Sequence, residues 1–286
     1  MLHDLHIGEG RNAAQHARSQ QLLTQLCPAQ AETAAPLRPD PARVRALLEA
    51  ARPDRAADAA ARLRERGVRV DVAISSEQSA SWAVHPSPIA AMDMTVEPDL
   101  SNAAPFLAAA MVTRGSVTIP DWPSRTTQPG AQLPALLESM GATTSLGADG
   151  LTVNGPDQLL GLNANLKEVG ELTPVLAALC AVATTESHIS GIAHLRGHET
   201  DRLEALATEI NRVGGNATET EDGLVIKPAA LHGADVESYD DHRMATAGAV
   251  IGLVVDGVRV EDIGTTAKTL PNFDQMWSDM LSQDNA

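Results

Sequence analysis

Residues 187–226, SHISGIAHLRGHETDRLEALATEINRVGGNATETEDGLVI, hold three structural signals in a row. Ser187-His-Ile-Ser alternates as a short strand. Arg202 to Val213 spaces its apolar side chains as an amphipathic helix and stops at Gly214 and Gly215. Asp222-Gly-Leu-Val-Ile then opens a strand behind a turn. These signals recur at a fixed interval. Strands that follow a turn begin at Gly115, Ser187 and Gly257, with spacings of 72 and 70. The glycines that end helices, Gly141 and Gly214, lie 73 apart, as do the Asp-Gly strand openings at Asp149 and Asp222. A period of about seventy residues marks a repeated structural unit. Arg66-Gly-Val-Arg-Val, followed by Trp82-Ala-Val, reads as the tail of an earlier copy.

Within each copy the order is strand, helix, strand, helix, strand, strand. The first helix is apolar on every side: Ala103 to Val112, Leu172 to Val182, and Met244 to Val255. Such helices are buried. The second helix is amphipathic: Gln132 to Met140, Arg202 to Val213, and Asn272 to Leu281. The expected fold is therefore of the α/β (α+β) class, with repeated βαβαββ units around buried helices. The last copy stops at its second helix, so its closing strand pair is expected from elsewhere or is missing. The organisation read from the chain has three parts. Residues 1–61 are rich in Ala, Arg and Pro and are expected to be partly disordered or helical. Residues 62–91 read as the last-unit remnant of another domain, and 92–286 as one repeat-built domain. The opening segment does not have the composition of a strand-and-helix enzyme domain. One reading is a shifted frame or wrong start site, which sequencing the upstream DNA would test.

Charge narrows the function. The chain carries a net −16, and residues 81–286 hold 10 Lys and Arg against 27 Asp and Glu. That balance speaks against nucleic acid as partner. Apolar runs such as Ala245 to Val255 are too short to span a bilayer. The opening residues show no basic segment followed by an apolar one, so no export signal is expected. The two cysteines, Cys27 and Cys180, form no disulfide framework or metal-ligand spacing and read as reduced thiols. Half the cations after residue 90 fall at expected helix starts: Arg125, Arg196, Arg202, Arg243 and Lys268. Helix N-termini expose unpaired N–H groups that suit phosphate and carboxylate, and arginine adds a bidentate fork. Asp99, Thr200 and Asp201 read as caps. Arg202 and Arg243 stand where the helix dipole alone would disfavour a cation, so they read as anion ligands. His242 is open to either a packed core role or a site role.

Five stretches carry a family resemblance: Glu97-Pro-Asp-Leu-Ser-Asn-Ala-Ala-Pro-Phe-Leu, Val169-Gly-Glu-Leu-Thr-Pro-Val, His198-Glu-Thr-Asp-Arg-Leu, Asp241-His-Arg-Met, and Thr266-Ala-Lys-Thr-Leu-Pro. In this order and spacing the chain, from about Gly67 to Leu281, resembles the 5-enolpyruvylshikimate-3-phosphate synthases among the enolpyruvyl transferases, in an actinobacterial style. The family's globular domains are each built from three βαβαββ units. The resemblance implies transfer of an enolpyruvyl group from phosphoenolpyruvate to shikimate 3-phosphate, with release of phosphate, on the way to chorismate and the aromatic amino acids. It implies no metal and no cofactor, two small-molecule substrates, no nucleic-acid or membrane partner, a monomer, and a cytoplasmic location. By similarity Arg202, Arg243 and Lys268 would bind phosphoenolpyruvate. Glu199 would move the methyl proton. Glu171, where the family often has Asp, would take the hydroxyl proton and hold the acceptor. His242 would support the site, and His194 and His198 would fall on the shikimate-phosphate side.

The Lys-Ser pair, the glycine-rich segment with its Arg, and the Ser-Ser-Gln motif of the family's N-terminal half have no counterpart in context. Ser75-Ser-Glu-Gln falls in the wrong unit. The expectation is family identity with little or no activity of the chain alone. Two rival readings stand beside it: a UDP-amino-sugar enolpyruvyl transferase, which usually carries a catalytic cysteine that neither Cys27 nor Cys180 matches, and a non-catalytic remnant or binding module.

Overall fold

The computed structural model describes residues 60–76, 79–91, 93 and 95–282. The expectations for the Ala/Arg/Pro-rich segment before residue 60, and for Cys27, lie outside the described residues. The chain divides into two compact units, one running to Val96 and the other from Glu97.

In the smaller unit, residues 60–65 are helical and lead through Gly67 into a hairpin of β1 (Val70–Ser76) and β2 (Ser79–Val84). The strands pair antiparallel, Val70 opposite Val84 and Val72 opposite Trp82, with an irregularity between Ile74 and Ser76. Ala60, Val68 and Val70 form a small apolar cluster. The alternation of Val68-Arg-Val-Asp-Val supplies that buried face.

The larger unit is built on α1 (Leu100–Thr113), α3 (Thr173–Ala181) and α5 (His242–Gly252), which pack on one another. Every residue of α3 is buried, as its all-round apolar sequence requires. Around these lie the shorter α2 (Leu133–Ser139), and α4 (Arg202–Arg212) and α6 (Phe273–Ser282), which are apolar on one face. Phe273 and Trp277 of α6 meet Phe106 of α1 edge-on, each with ring centroids 5.7 Å apart. These contacts anchor the last helix in a chain that has few aromatics.

The sheets display the repeat. The second copy is complete: β6 (Asn163–Asn165), β7 (Ser187–Ser190), β9 (Leu224–Lys227) and β8 (Asn216–Glu219), in that spatial order. β6 runs parallel to β7, and β7 pairs antiparallel with β9. In the first copy β3 (Ser116–Ile119) pairs in the same way with β5 (Gly150–Asn154), and β4 (Thr143–Gly147) flanks β5. Gly150 sits at φ +112°, and a Cβ there would lie 2.1 Å from the Ile119 carbonyl oxygen, so the hairpin demands glycine. Among the described residues of the third copy, β10 (Asp235–Val236) runs parallel to β11 (Arg259–Val260).

Two expectations need correcting. The leading strand of the first copy does not form among described residues 93 and 95–99. Its polar groups go to a loop instead. Gln128 donates to Glu97 (2.7 Å) and to the Pro98 carbonyl (2.9 Å), and accepts from Leu100 N–H (3.1 Å). Secondly, Arg125, Arg196 and Lys268 do not start second helices. Lys268 ends the 3₁₀ turn Ile263–Lys268, and Arg196 lies in the 3₁₀ turn Ala193–Gly197. Arg125 lies in a bend ahead of the 3₁₀ turn Pro129–Gln132. Pro271 cannot continue a helix, and Asn272 at φ +62° redirects the chain before α6 begins.

Asp99 caps α1, accepting from Ser101 N–H (3.0 Å) and Asn102 N–H (3.1 Å). Asp99→Ala is expected to lower the stability of this unit by about 1 kcal/mol, measured by urea unfolding. A change below about 0.3 kcal/mol would contradict the capping account.

Candidate active site

The starts of α3, α4 and α5 meet around one guanidinium. Arg202 is the first residue of α4, and Asp201 caps that helix by accepting from Leu203 N–H (3.1 Å) and Glu204 N–H (3.2 Å). Arg196 holds the capping carboxylate at 3.1 Å and also reaches Glu219 at 2.6 Å, so this outlying arginine is structural. The Arg202 side chain is 1% exposed. Its Nε and Nη2 donate in a fork to Asp241, at 2.7 and 3.2 Å. Nη2 also donates to Glu199 (2.9 Å) and Nη1 to Glu171 (3.4 Å), while Nη1 lies 3.2 Å from His198 Nδ1.

Asp241 is completely buried and also caps α5, accepting from Arg243 N–H at 2.8 Å. A carboxylate so enclosed is stable only when paired, and the Arg202 fork provides that pairing. Arg243, the second residue of α5, places Nε 2.6 Å from Glu171 Oε2, an ion pair out of line for a hydrogen bond. Its Nη2 donates to Ser101 Oγ at 3.0 Å, on the first turn of α1. Lys268 reaches Glu199 Oε1 at 2.7 Å. Its segment is tied to α1 by buried Asn102, which donates to the Thr269 carbonyl (3.0 Å) and accepts from the Thr269 hydroxyl (3.3 Å).

Glu171 is the penultimate residue of the 3₁₀ segment Lys167–Leu172 that feeds α3. Gly170 before it is closely covered by His194: an added Cβ would sit 2.6 Å from His194 Nε2. The His194 and His198 rings lie 6.0 Å apart, and His198 Nδ1 is 3.9 Å from Glu171 and 4.0 Å from Glu199. His242 is buried beside Asp241, with Nδ1 3.8 Å from its Oδ1 and no hydrogen-bond partner for that nitrogen.

Electrostatics follow from this crowding. Burial pushes the Glu199 carboxyl up, but the Lys268 hydrogen bond, its own backbone N–H, and the charges of Arg202 and Lys268 outweigh burial and hold it down at about 2. For His242, burial and the Arg243 charge outweigh the opposing Asp241 carboxylate and bring the imidazole down to about 4. Burial alone would lower the Arg202 value, yet the hydrogen bond and charge of Asp241, with Glu171 and Glu199, raise it. The guanidinium is therefore permanently charged. Three cations (Arg202, Arg243, Lys268) face three carboxylates (Glu171, Glu199, Asp241), with His242 neutral near pH 7.

All eight residues singled out in the sequence, Glu171, His194, His198, Glu199, Arg202, His242, Arg243 and Lys268, fall in this one neighbourhood. Sequence reasoning missed Asp241 as the partner of Arg202, because 39 residues separate them. It also gave no role to Ser101 and Asn102, whose partners Arg243 and Thr269 lie far along the chain. The large open depression lined by Met111, Leu159, Val182, Leu231 and Val254 contains none of these site residues.

The fold itself is that of an enolpyruvyl transferase. It matches the structure of an EPSP synthase from Acinetobacter baumannii with a TM-score of 0.61 at 24% identity, covering 76% of this chain and 52% of that one. It matches the enolpyruvyl transferase NikO from Streptomyces tendae with a TM-score of 0.55 at 20% identity, covering 79% and 52%. Residues 46–277 match the EPSP synthase (3-phosphoshikimate 1-carboxyvinyltransferase) family, and the chain belongs to that family. A curated 3-phosphoshikimate 1-carboxyvinyltransferase from Kocuria rhizophila is 57% identical over 204 residues, which are 71% of this chain and 46% of the relative. The chain thus spans about half the length of the relatives it matches. Among the described residues no helix is long and apolar enough to cross a membrane.

Proposed function

We propose that this chain supplies the phosphoenolpyruvate-gripping and proton-handling groups for transfer of an enolpyruvyl unit to shikimate 3-phosphate. The observation that carries this reading is the convergence of Arg202, Arg243 and Lys268, from three separate segments, onto Glu171 and Glu199. In the free protein the two carboxylates occupy the cations. A ligand bearing its own phosphate and carboxylate replaces them and takes over the charge-assisted bonds.

The exchange prepares the chemistry. The acceptor's 5-hydroxyl oxygen bonds to carbon two of phosphoenolpyruvate as Glu171 takes its proton, and carbon three receives a proton from Glu199. Glu199 is ionised in the free protein. Once the ligand draws Lys268 and Arg202 away and brings negative charge close, the carboxyl rises from its depressed value and can carry that proton. Loss of a proton from carbon three back to Glu199 then restores the double bond as the carbon–oxygen bond to phosphate breaks. The cations hold the phosphate as charge develops on it. His242 supports Arg243 as a neutral ring. His194 and His198 lie on the acceptor-phosphate side. A cytoplasmic monomer is the corresponding expectation for the whole enzyme.

Lys268→Met removes one charge-assisted bond worth about 2 kcal/mol, so phosphoenolpyruvate should bind about 30-fold more weakly by isothermal titration calorimetry. Unchanged affinity would overturn the assignment. The second reading is a binding module without turnover, in which Arg202, Arg243 and Lys268 grip the anion alone. Phosphate release measured with both substrates separates the two, and UDP-N-acetylglucosamine as alternative acceptor tests the remaining rival.

A further inference from the structure

Tyr239 and Asp240, at φ +56° and +53°, are consecutive non-glycine residues in the left-handed region. A bulky side chain seldom adopts that conformation, and two in succession need an external restraint. They immediately precede Asp241, so the direction in which the chain leaves this turn sets the buried carboxylate, the α5 cap and the Arg243 side chain together. The restraint is visible. Tyr239 donates its hydroxyl to Glu209 Oε1 at 2.6 Å. Glu209 is itself 4% exposed, and its other oxygen accepts from Arg212 Nε (2.9 Å) and Glu237 N–H (3.1 Å). Burial, the hydrogen bond to Glu209 and the charges of Glu209 and Glu237 push the phenol up to about 12, so it stays a donor at neutral pH.

Glu209 and Arg202 lie on one helix, two turns or about 10 Å apart along its axis and on nearly the same face. Helix α4 therefore grips the 237–243 turn twice, by the guanidinium fork on Asp241 and by the carboxylate on Tyr239. We infer that Tyr239 and Glu209 are positioning residues for the anion site, holding a strained turn so that Asp241 and Arg243 face Arg202 and Glu171. The link to ligand binding rests on the function proposed above; the link to the turn does not.

The test uses the full chain and Tyr239→Phe, which removes one hydroxyl and keeps the ring. Phosphoenolpyruvate affinity by calorimetry should fall about tenfold. Adding Asp240→Gly, which relieves the left-handed conformation at an exposed position, should bring affinity back to within about threefold of the parent. Without ligand, amide exchange by NMR should quicken about tenfold at Arg243, whose N–H is held by Asp241, and not from Ala247 to Gly252. Unaltered affinity in Tyr239→Phe, or a uniform loss of protection along α5, would overturn the inference, as would failure of Asp240→Gly to rescue. If the parent chain does not bind phosphoenolpyruvate, the proposed function falls, and the Arg243 amide still decides whether the pair positions the turn.

Discussion

Arg202→Met should cost about 3–5 kcal/mol of stability and abolish phosphoenolpyruvate binding. Methionine fills much of the same volume, so the loss is not chiefly a cavity. It is the loss of the fork on Asp241, a carboxylate with no solvent exposure, and of the bonds to Glu199 and Glu171. Only the Arg243 N–H bond to Asp241 remains among the bonds described above. A buried charge without its partner is the expensive outcome, whereas removal of both members is far cheaper. Asp241→Asn, which keeps a capping oxygen, should therefore recover part of the loss when added to Arg202→Met. Urea unfolding of the parent, both single variants and the double variant gives the coupling directly. Additive single effects, or a loss below about 1 kcal/mol for Arg202→Met, would contradict the pairing.

The second large effect is on pH. His242 stands at about 4 in the folded chain, below its ordinary 6.5, because burial and Arg243 outweigh Asp241. Between those values the unfolded chain binds a proton that the folded chain refuses. Stability is thus fully present above about 6.5 and is lost as pH falls toward 4, by on the order of 2–3 kcal/mol. Glu199 acts in the same direction lower down: its carboxyl, held at about 2 against an ordinary 4.5, adds a further loss as pH falls below 4.5. Unfolding midpoints measured from pH 7 to 4 should decline in the parent chain. They should be flatter above pH 4.5 in His242→Asn. An equal decline in both would place the titrating group elsewhere, and an imidazole NMR titration of His242 checks the value itself.

Much of the architecture was legible because it repeats. An all-apolar helix can only be buried, so Leu172 to Val182 announced α3. Paired glycines closed α4, and Asp-Gly openings marked β5 and β9. The absence of a leading strand among described residues 93 and 95–99 was not legible, since the competing partner, Gln128, lies some thirty residues away. Lys268 was expected at a helix start and lies on a 3₁₀ turn, because the prolyl break at Pro271 and the left-handed Asn272 delay α6. Its ammonium nevertheless lies 2.7 Å from Glu199.

By itself the sequence determined the repeat, the buried and exposed helices, the family, and two of the cations at helix starts, Arg202 and Arg243. These depend on local periodicity and on motifs that survive intact in a linear string. Only the tertiary structure decided that Asp241 takes the Arg202 fork, that Ser101 and Asn102 steady Arg243 and the Lys268 segment, and that Glu209 restrains the turn at Tyr239. Those pairings join residues 30 to 167 positions apart. Which carboxylate meets which cation is settled by how three helices pack and by the cost of leaving any one of those charges buried and alone.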